Sequence, residues 1–243
     1  MKIIKLSRVD STNNYLKQHF EELPDGTAVT ADLQTDGRGR RGHSWSADRG
    51  MLPLSVLLKN PREPETLTPR VGLAVCEAIE AIASKQSFSF SVGIKWPNDL
   101  IISYHKVCGI LCESVFFGDK ITAICGIGVN ISQSEKFFTD AGIPNGGSLK
   151  TLAGFEPERD ELTEKIVESV LNRAAMPFSD CLEEYKKRVI NIGREVRIIG
   201  SEERIAKAVD IAENGFLICR DEKGEFEVSS GEVSVRGIDG YVL

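Results

Sequence analysis

The spacing of apolar residues changes period several times along the chain, and each change predicts an element. After Ser11-Thr12-Asn13, the run YLKQHFEEL sets Tyr15, Leu16, His19, Phe20 and Leu23 at helical intervals, with Ser11 or Thr12 as the N-cap. Residues 27–33 (TAVTADL) and 54–59 (LSVLLK) read as strands, the second closed by Asn60-Pro61. From Pro69 to Ala83, Val71, Val75, Ala78, Ile79 and Ile82 share one helical face, and Pro69 suits an early helical position. Four β-rich runs follow at 91–96, 100–103, 107–117 and 121–131, and the short breaks between them predict neighbouring antiparallel strands. Helical spacing returns near 160–175, with Leu162, Ile166 and Val170 on the apolar side, and again over 178–190. Beyond Ile192-Gly193 the pattern becomes short strands between Gly, Asn and Asp turns, the mark of a small barrel. The chain therefore reads as an α+β unit of about 190 residues carrying a β-barrel tail of about 50.

Composition narrows the function classes. A chain of 243 residues with 41% hydrophobic content can bury a sizeable core. Thirty Lys and Arg against thirty-six Asp and Glu give a net charge of −6, which argues against generic nucleic-acid binding. The opening MKIIKLSRVD lacks a signal-peptide core, and no apolar run reaches membrane-spanning length. Cys76, Cys108, Cys112, Cys125, Cys181 and Cys219 show no CxxC spacing and mostly sit in apolar runs, so they read as buried free thiols in a reducing, cytoplasmic setting.

Against this acidic background, residues 36–45 (DGRGRRGHSW) concentrate cations on a pliable backbone. Gly37, Gly39 and Gly42 satisfy G-x-G-x-x-G literally, but the following HSWSADRGMLPL carries no helical stripe, which excludes a dinucleotide fingerprint. What remains is a set of arginine forks suited to carboxylate or phosphate. The glycines permit close approach to a ligand yet raise the cost of ordering, so the segment is expected to stay mobile until an anion closes it. A second group, IKWPNDL (94–100), sets Lys95, Trp96, Asn98 and Asp99 around Pro97, with Asp99 read as a turn or hydrogen-bonding residue. Lys106, just before an apolar run, is either a snorkelling surface residue or a cation held for a ligand. A third group, Gly126-Ile127-Gly128-Val129-Asn130, alternates glycines in a strand, which marks a bulge or a place where something flat lies on the backbone. No G-x-S-x-G occurs, His19 and His105 sit in surface or structural contexts, and the carboxylates form no metal cluster by spacing; a serine or cysteine hydrolase is disfavoured.

Taken in order, Ser11-Thr12-Asn13, Gln34, GRGRRG (37–42), Trp45, KWPNDL (95–100), Lys106 with Gly109, GIGVN (126–130) and GEVSVR (231–236) resemble the biotin protein ligases across nearly the whole chain. The resemblance implies a catalytic domain over 1–191, with a mixed or antiparallel sheet flanked by helices and shared with lipoate-attaching enzymes, followed by an SH3-like C-terminal barrel over 192–243. It implies an ATP-dependent ligase that makes biotinyl-5′-AMP with Mg²⁺ and passes biotin to a lysine of a biotin carboxyl carrier protein. By the same resemblance, Lys106, Arg38 and Arg40 are catalytic. Ser11, Thr12, Asn13, Gln34, Gly37, Arg38, Gly39, Arg40, Lys106, Gly109, Gly126 and Gly128 form the biotin side. Arg40, Arg41, Trp45, Asn98, Val129, Asn130 and Arg236 build the adenosine pocket and the triphosphate or magnesium contacts. No metal ligand is assigned. Two departures from the family pattern stand out: His43-Ser44 where further basic residues are common, and Pro53 in the wall of the biotin pocket. The Ser-Thr-Asn element begins at residue 11, leaving no room before it for the DNA-binding domain that some relatives carry. Pairing of two copies through the edge of the central sheet is expected by resemblance alone. The rival readings are a lipoate ligase or octanoyl transferase, and a non-catalytic biotin or nucleotide sensor.

Overall fold

A computed structural model describes residues 1–42, 44–45, 48–200, 202–231, 233–238 and 240–242, apart from the side chains of Arg41 and Ser44. The amino-terminal strand β1 (Lys2–Leu6) leads into α1 (Thr12–His19) and β2 (Thr27–Ala31). The glycine–arginine segment forms a two-residue hairpin, β3 (Gly37–Arg38) with β4 (Ser44–Trp45), around a 3₁₀ turn at Arg40–Gly42. Then come β5 (Met51–Lys59), α2 (Leu67–Lys85), β6 (Gly93–Lys95), β7 (Asp99–Ile102), β8 (His105–Phe117) and β9 (Lys120–Asn130). Two short helices, α3 (Glu135–Asp140) and α4 (Leu149–Ala153), precede α5 (Arg159–Ala175) and α6 (Phe178–Arg188). The chain ends in β10 (Glu195–Ile199), β11 (Glu203–Ile211), β12 (Leu217–Asp221), β13 (Gly224–Val228) and β14 (Ser234–Gly237).

The main sheet has seven strands in the order β1-β2-β5-β9-β8-β7-β6, parallel only between β1 and β2. The antiparallel run predicted for 91–131 is present, and the α+β fold with its five-stranded antiparallel, SH3-like C-terminal sheet is as expected. Strand β1, the helices α3 and α4, and the β3–β4 hairpin were not expected. β1 has only five residues, KIIKL, and no alternation long enough to register.

Because side chains alternate across a strand, the sheet has two different faces. On β9, Ala123, Cys125, Ile127 and Val129 point into the main core, as do Leu52, Leu54, Val56 and Leu58 of β5 and Cys108 and Ile110 of β8. α2 covers that face and buries most residues from Leu67 to Ala83, with α5 and α6 packed beside it. The opposite face is divided. Toward one end α1 closes a small second core with Leu16, Val29, Leu57 and Ile124. Toward the other, the same face presents glycines and polar side chains, and there the cavity opens.

Candidate functional site

The cavity encloses about 570 Å³ and is lined by the main sheet, the β3–β4 hairpin, the segment 137–146 and the end of the C-terminal unit. Its neutral wall is built at the start of α1. Ser11 occupies the N-cap position without a side-chain cap bond. The first helical amide is satisfied from outside instead: Gln34 Oε1 accepts from Thr12 N at 2.9 Å. Ser55, a polar residue at the centre of the apolar strand β5, donates to Thr12 Oγ1 at 2.7 Å or Asn13 Oδ1 at 2.6 Å. The Asn13 amide nitrogen donates to Glu113 Oε2 at 2.8 Å, and Lys17 holds the other Glu113 oxygen at 2.6 Å. A carboxylate only accepts, so Glu113 fixes which way the Asn13 amide faces. This packing requires the glycine at 126, where a Cβ would come within 2.5 Å of Asn13 Oδ1.

The other end is ionic. Lys106 Nζ pairs with Asp99 Oδ1 at 2.5 Å and lies 4.8 Å from the Trp45 ring centroid. Buried Lys95 donates to Val235 O at 2.8 Å. Burial lowers its amine to about 8, a shift that the Asp99 charge opposes. For Asp99 burial acts upward, but the Lys106 and Lys95 ammoniums and the hydrogen bonds from Lys106 and Tyr241 outweigh it and hold the carboxyl below its usual range. Arg40 bridges the hairpin to both units: it donates to Asn98 Oδ1 at 3.1 Å and to the Ser230 carbonyl. In the structure this segment lies across the site, with Arg40 as its link to both units.

The floor between the two ends is bare backbone. Trp45 lies over Gly109 and Gly128 on adjacent strands, where a Cβ would meet the indole at 2.6 Å and 3.0 Å respectively. Something flat does lie against these glycines, and here it is the protein's own tryptophan. Most residues singled out in the sequence line this one cavity: Ser11, Thr12, Asn13, Gln34, Arg38, Gly39, Arg40, Trp45, Asn98, Lys106, Gly109, Gly126, Gly128, Asn130 and Arg236. Asn130 gives its amide nitrogen to Gly147 O at 3.0 Å and Lys106 O at 3.3 Å, so it braces the wall. Gly37 stands just behind the lining, against Gln34 and Trp45. Val129 does not join it: strand alternation turns its side chain into the core, where it is wholly buried. The side chain of Arg41, and His43 entirely, lie outside the described residues.

Sequence reasoning passed over Ser55, Glu113 and Tyr241 and gave Lys95 no role. A serine inside LSVLL was a detectable signal, since a polar residue in a strand buried on both faces needs a partner. Tyr241 had none, because its contact with Asp99 spans 142 positions. Lys106 turns its ammonium inward, where it pairs with Asp99 Oδ1 at 2.5 Å.

Comparison with known proteins places these features in context. Residues 6–130 match the family profile for the biotin/lipoate A/B protein ligases, and residues 192–236 match that of the biotin protein ligase C terminal domain. The chain resembles a biotin protein ligase from Aquifex aeolicus, solved with biotin and ATP, at 32% identity and a TM-score of 0.83, covering 97% of this chain and 99% of that one. It is 30% identical to the bifunctional ligase/repressor of Salmonella typhimurium over 244 residues, 95% of this chain and 73% of the relative. It is 34% identical to the chloroplastic biotin–protein ligase 1 of Arabidopsis thaliana over 158 residues, 64% of this chain, and spans only 41% of that protein. Among the described residues no helix is long and apolar enough to cross a membrane.

Proposed function

The chain belongs to the biotin/lipoate A/B protein ligase family, and from that premise we propose that it is a biotin–protein ligase acting through the cavity described above. In the first step a biotin carboxylate oxygen attacks the α-phosphorus of ATP, the bond to the β-phosphate bridging oxygen breaks, and pyrophosphate leaves. In the second, a deprotonated lysine amine of a biotin carboxyl carrier protein attacks the acyl carbon; AMP departs, and the nitrogen sheds its remaining surplus proton as the amide forms.

One observation carries this reading. A largely neutral, hydrogen-bonded wall and a cluster of cations face each other across a single cavity. The wall of Ser11, Thr12, Asn13, Gln34 and Ser55 offers hydroxyls and amides to an uncharged polar ring. Arg38, Arg40 and Lys106 supply positive charge where two anions must meet, a reaction that depends on positioning and charge neutralisation. The backbone at Gly109 and Gly128, with Trp45 above it, suits planar groups, and Asn98 and Arg236, which line the same cavity, would face the nucleotide. The hairpin bearing Arg40 would exclude water from the reactive anhydride.

Mg²⁺ would enter this scheme with ATP, neutralising its phosphates. The two proposed domains divide after residue 191, a boundary supported by the change of sheet at β10. Homodimer formation is supported by residues 111–117 of β8, which have no strand partner on the β7 side among the described residues. A cytoplasmic location is supported by six free cysteines.

Incubation with biotin and MgATP should yield biotinyl-5′-AMP by mass spectrometry, and addition of a carrier domain should yield its biotinylated lysine. Exchange of ATP with pyrophosphate supported by lipoate or octanoate, and not by biotin, would reassign the substrate. Adenylate formation without transfer to any carrier domain would favour the sensor reading.

A further inference from the structure

The carboxyl-terminal end of the chain reaches back into the cavity. Tyr241 lines it, and its hydroxyl donates to Asp99 Oδ2. The ring of Tyr241 also lies 4.3 Å from Lys95 Nζ, whose ammonium is tied to Val235 O at 2.8 Å. The two oxygens of Asp99 are therefore divided between partners from distant parts of the chain. One is held by the C-terminal unit, and the other pairs with Lys106 at 2.5 Å.

This division has a geometric consequence. A carboxylate turns about a single soft torsion, so a donor fixed on one oxygen also fixes the direction of the other. The Asp99 carboxylate is buried and charged, hence each of its few contacts weighs more than it would in water. We propose that Tyr241 is a positioning residue for adenylate formation: by holding one oxygen of Asp99 it aims the other, and with it the Lys106 ammonium, at the point where carboxylate and α-phosphate meet. Burial and the Asp99 charge both raise the Tyr241 hydroxyl, which keeps it protonated and donating. The C-terminal unit thus contributes to the first chemical step through a side chain as well as by enclosing the cavity. The inference rests on the assignment of Lys106 to the reaction made above.

The test uses the full chain and single-turnover formation of biotinyl-5′-AMP. Tyr241→Phe keeps the ring beside Lys95 and removes only the hydroxyl. It should lower kcat for adenylate formation about tenfold while KM for biotin stays within about twofold, the scale of one charge-assisted hydrogen bond. In an Asp99→Asn background, whose residual rate single-turnover mass spectrometry reads, the same change should cost nothing further. An unchanged kcat, a change confined to KM, or an equal loss in the Asp99→Asn background would overturn the inference. Lys106→Gln, run alongside, separates the two failures. If it keeps the wild-type rate, the site assignment itself fails; if it loses the rate while Tyr241→Phe does not, only the role of Tyr241 does.

Discussion

The two ends of the cavity are built by different physics. At the α1 end most contacts join neutral groups, Gln34 with Thr12 and Ser55 with Thr12 or Asn13, while the Glu113–Lys17 pair fixes the Asn13 amide. Each neutral bond is worth only about 1 kcal/mol net, so the wall is held by packing together with several such bonds. At the other end, buried charges depend on each other, and loss of one leaves its neighbours uncompensated. Lys95, Asp99 and Lys106 come from β6, β7 and β8, while Arg40 comes from the hairpin and Tyr241 from the C-terminal end. The neutral end is suited to recognition, and the ionic end to moving charge.

That contrast can be broken at its strongest point first. Lys106→Gln should reduce adenylate formation by roughly 10²–10³-fold, the scale seen when one stabiliser of developing charge is removed. Its effect on biotin affinity should be smaller than its effect on the rate, and equilibrium binding of labelled biotin would show this. Gly126→Ala should do the reverse. Its new methyl must displace the Asn13 amide, which sits 2.5 Å from the Cβ position, and overpacking of this kind costs about 1–3 kcal/mol. Biotin binding should weaken by roughly 5- to 150-fold, with a smaller effect on the adenylation rate at saturating biotin. If both variants changed affinity and rate in equal measure, the division of labour would be wrong.

Two smaller effects sharpen the ionic side. Arg40→Ala frees the hairpin from Asn98 and Ser230 and should shorten the lifetime of bound biotinyl-AMP about tenfold, read by its hydrolysis in the absence of carrier. Lys95 gives a pH signature. Its folded-state amine titrates at about 8 against an ordinary 10.5, so between those values the unfolded chain binds more protons and stability rises with pH. Below about 8 the burial penalty is fully present. Relative to Lys95→Met, the wild type should gain about 1 kcal/mol between pH 8 and 9 in denaturant unfolding, and a flat difference would refute the buried-amine account.

Much of this was legible before any coordinates. The helix of α2 and the antiparallel run from β6 to β9 announced themselves because apolar spacing records which faces are covered, and both elements are long or regular. The motif residues were legible as chemistry, and all but a few of them line one cavity. Other placements were not legible. Alternation along β9 turns the Val129 side chain away from the face that carries Gly128 and Asn130. The sequence showed the Gly/Arg segment only as glycine-rich and cationic; that Arg40 reaches Asn98 and the Ser230 carbonyl, 58 and 190 positions away, was not legible in it.

The sequence alone determined the periodicities, the lack of CxxC spacing, the acidic background and the residue types gathered in each motif, since these depend on composition and on neighbours a few positions apart. Only the tertiary structure decided how charge is shared. Asp99 could be a turn residue or the centre of an ion network, and the choice fell to Lys106 and Tyr241, brought to it by strand pairing and by the returning C-terminal end. The strength of an ionic contact depends on distance and on the exclusion of water, and both are properties of the folded assembly rather than of any stretch of chain.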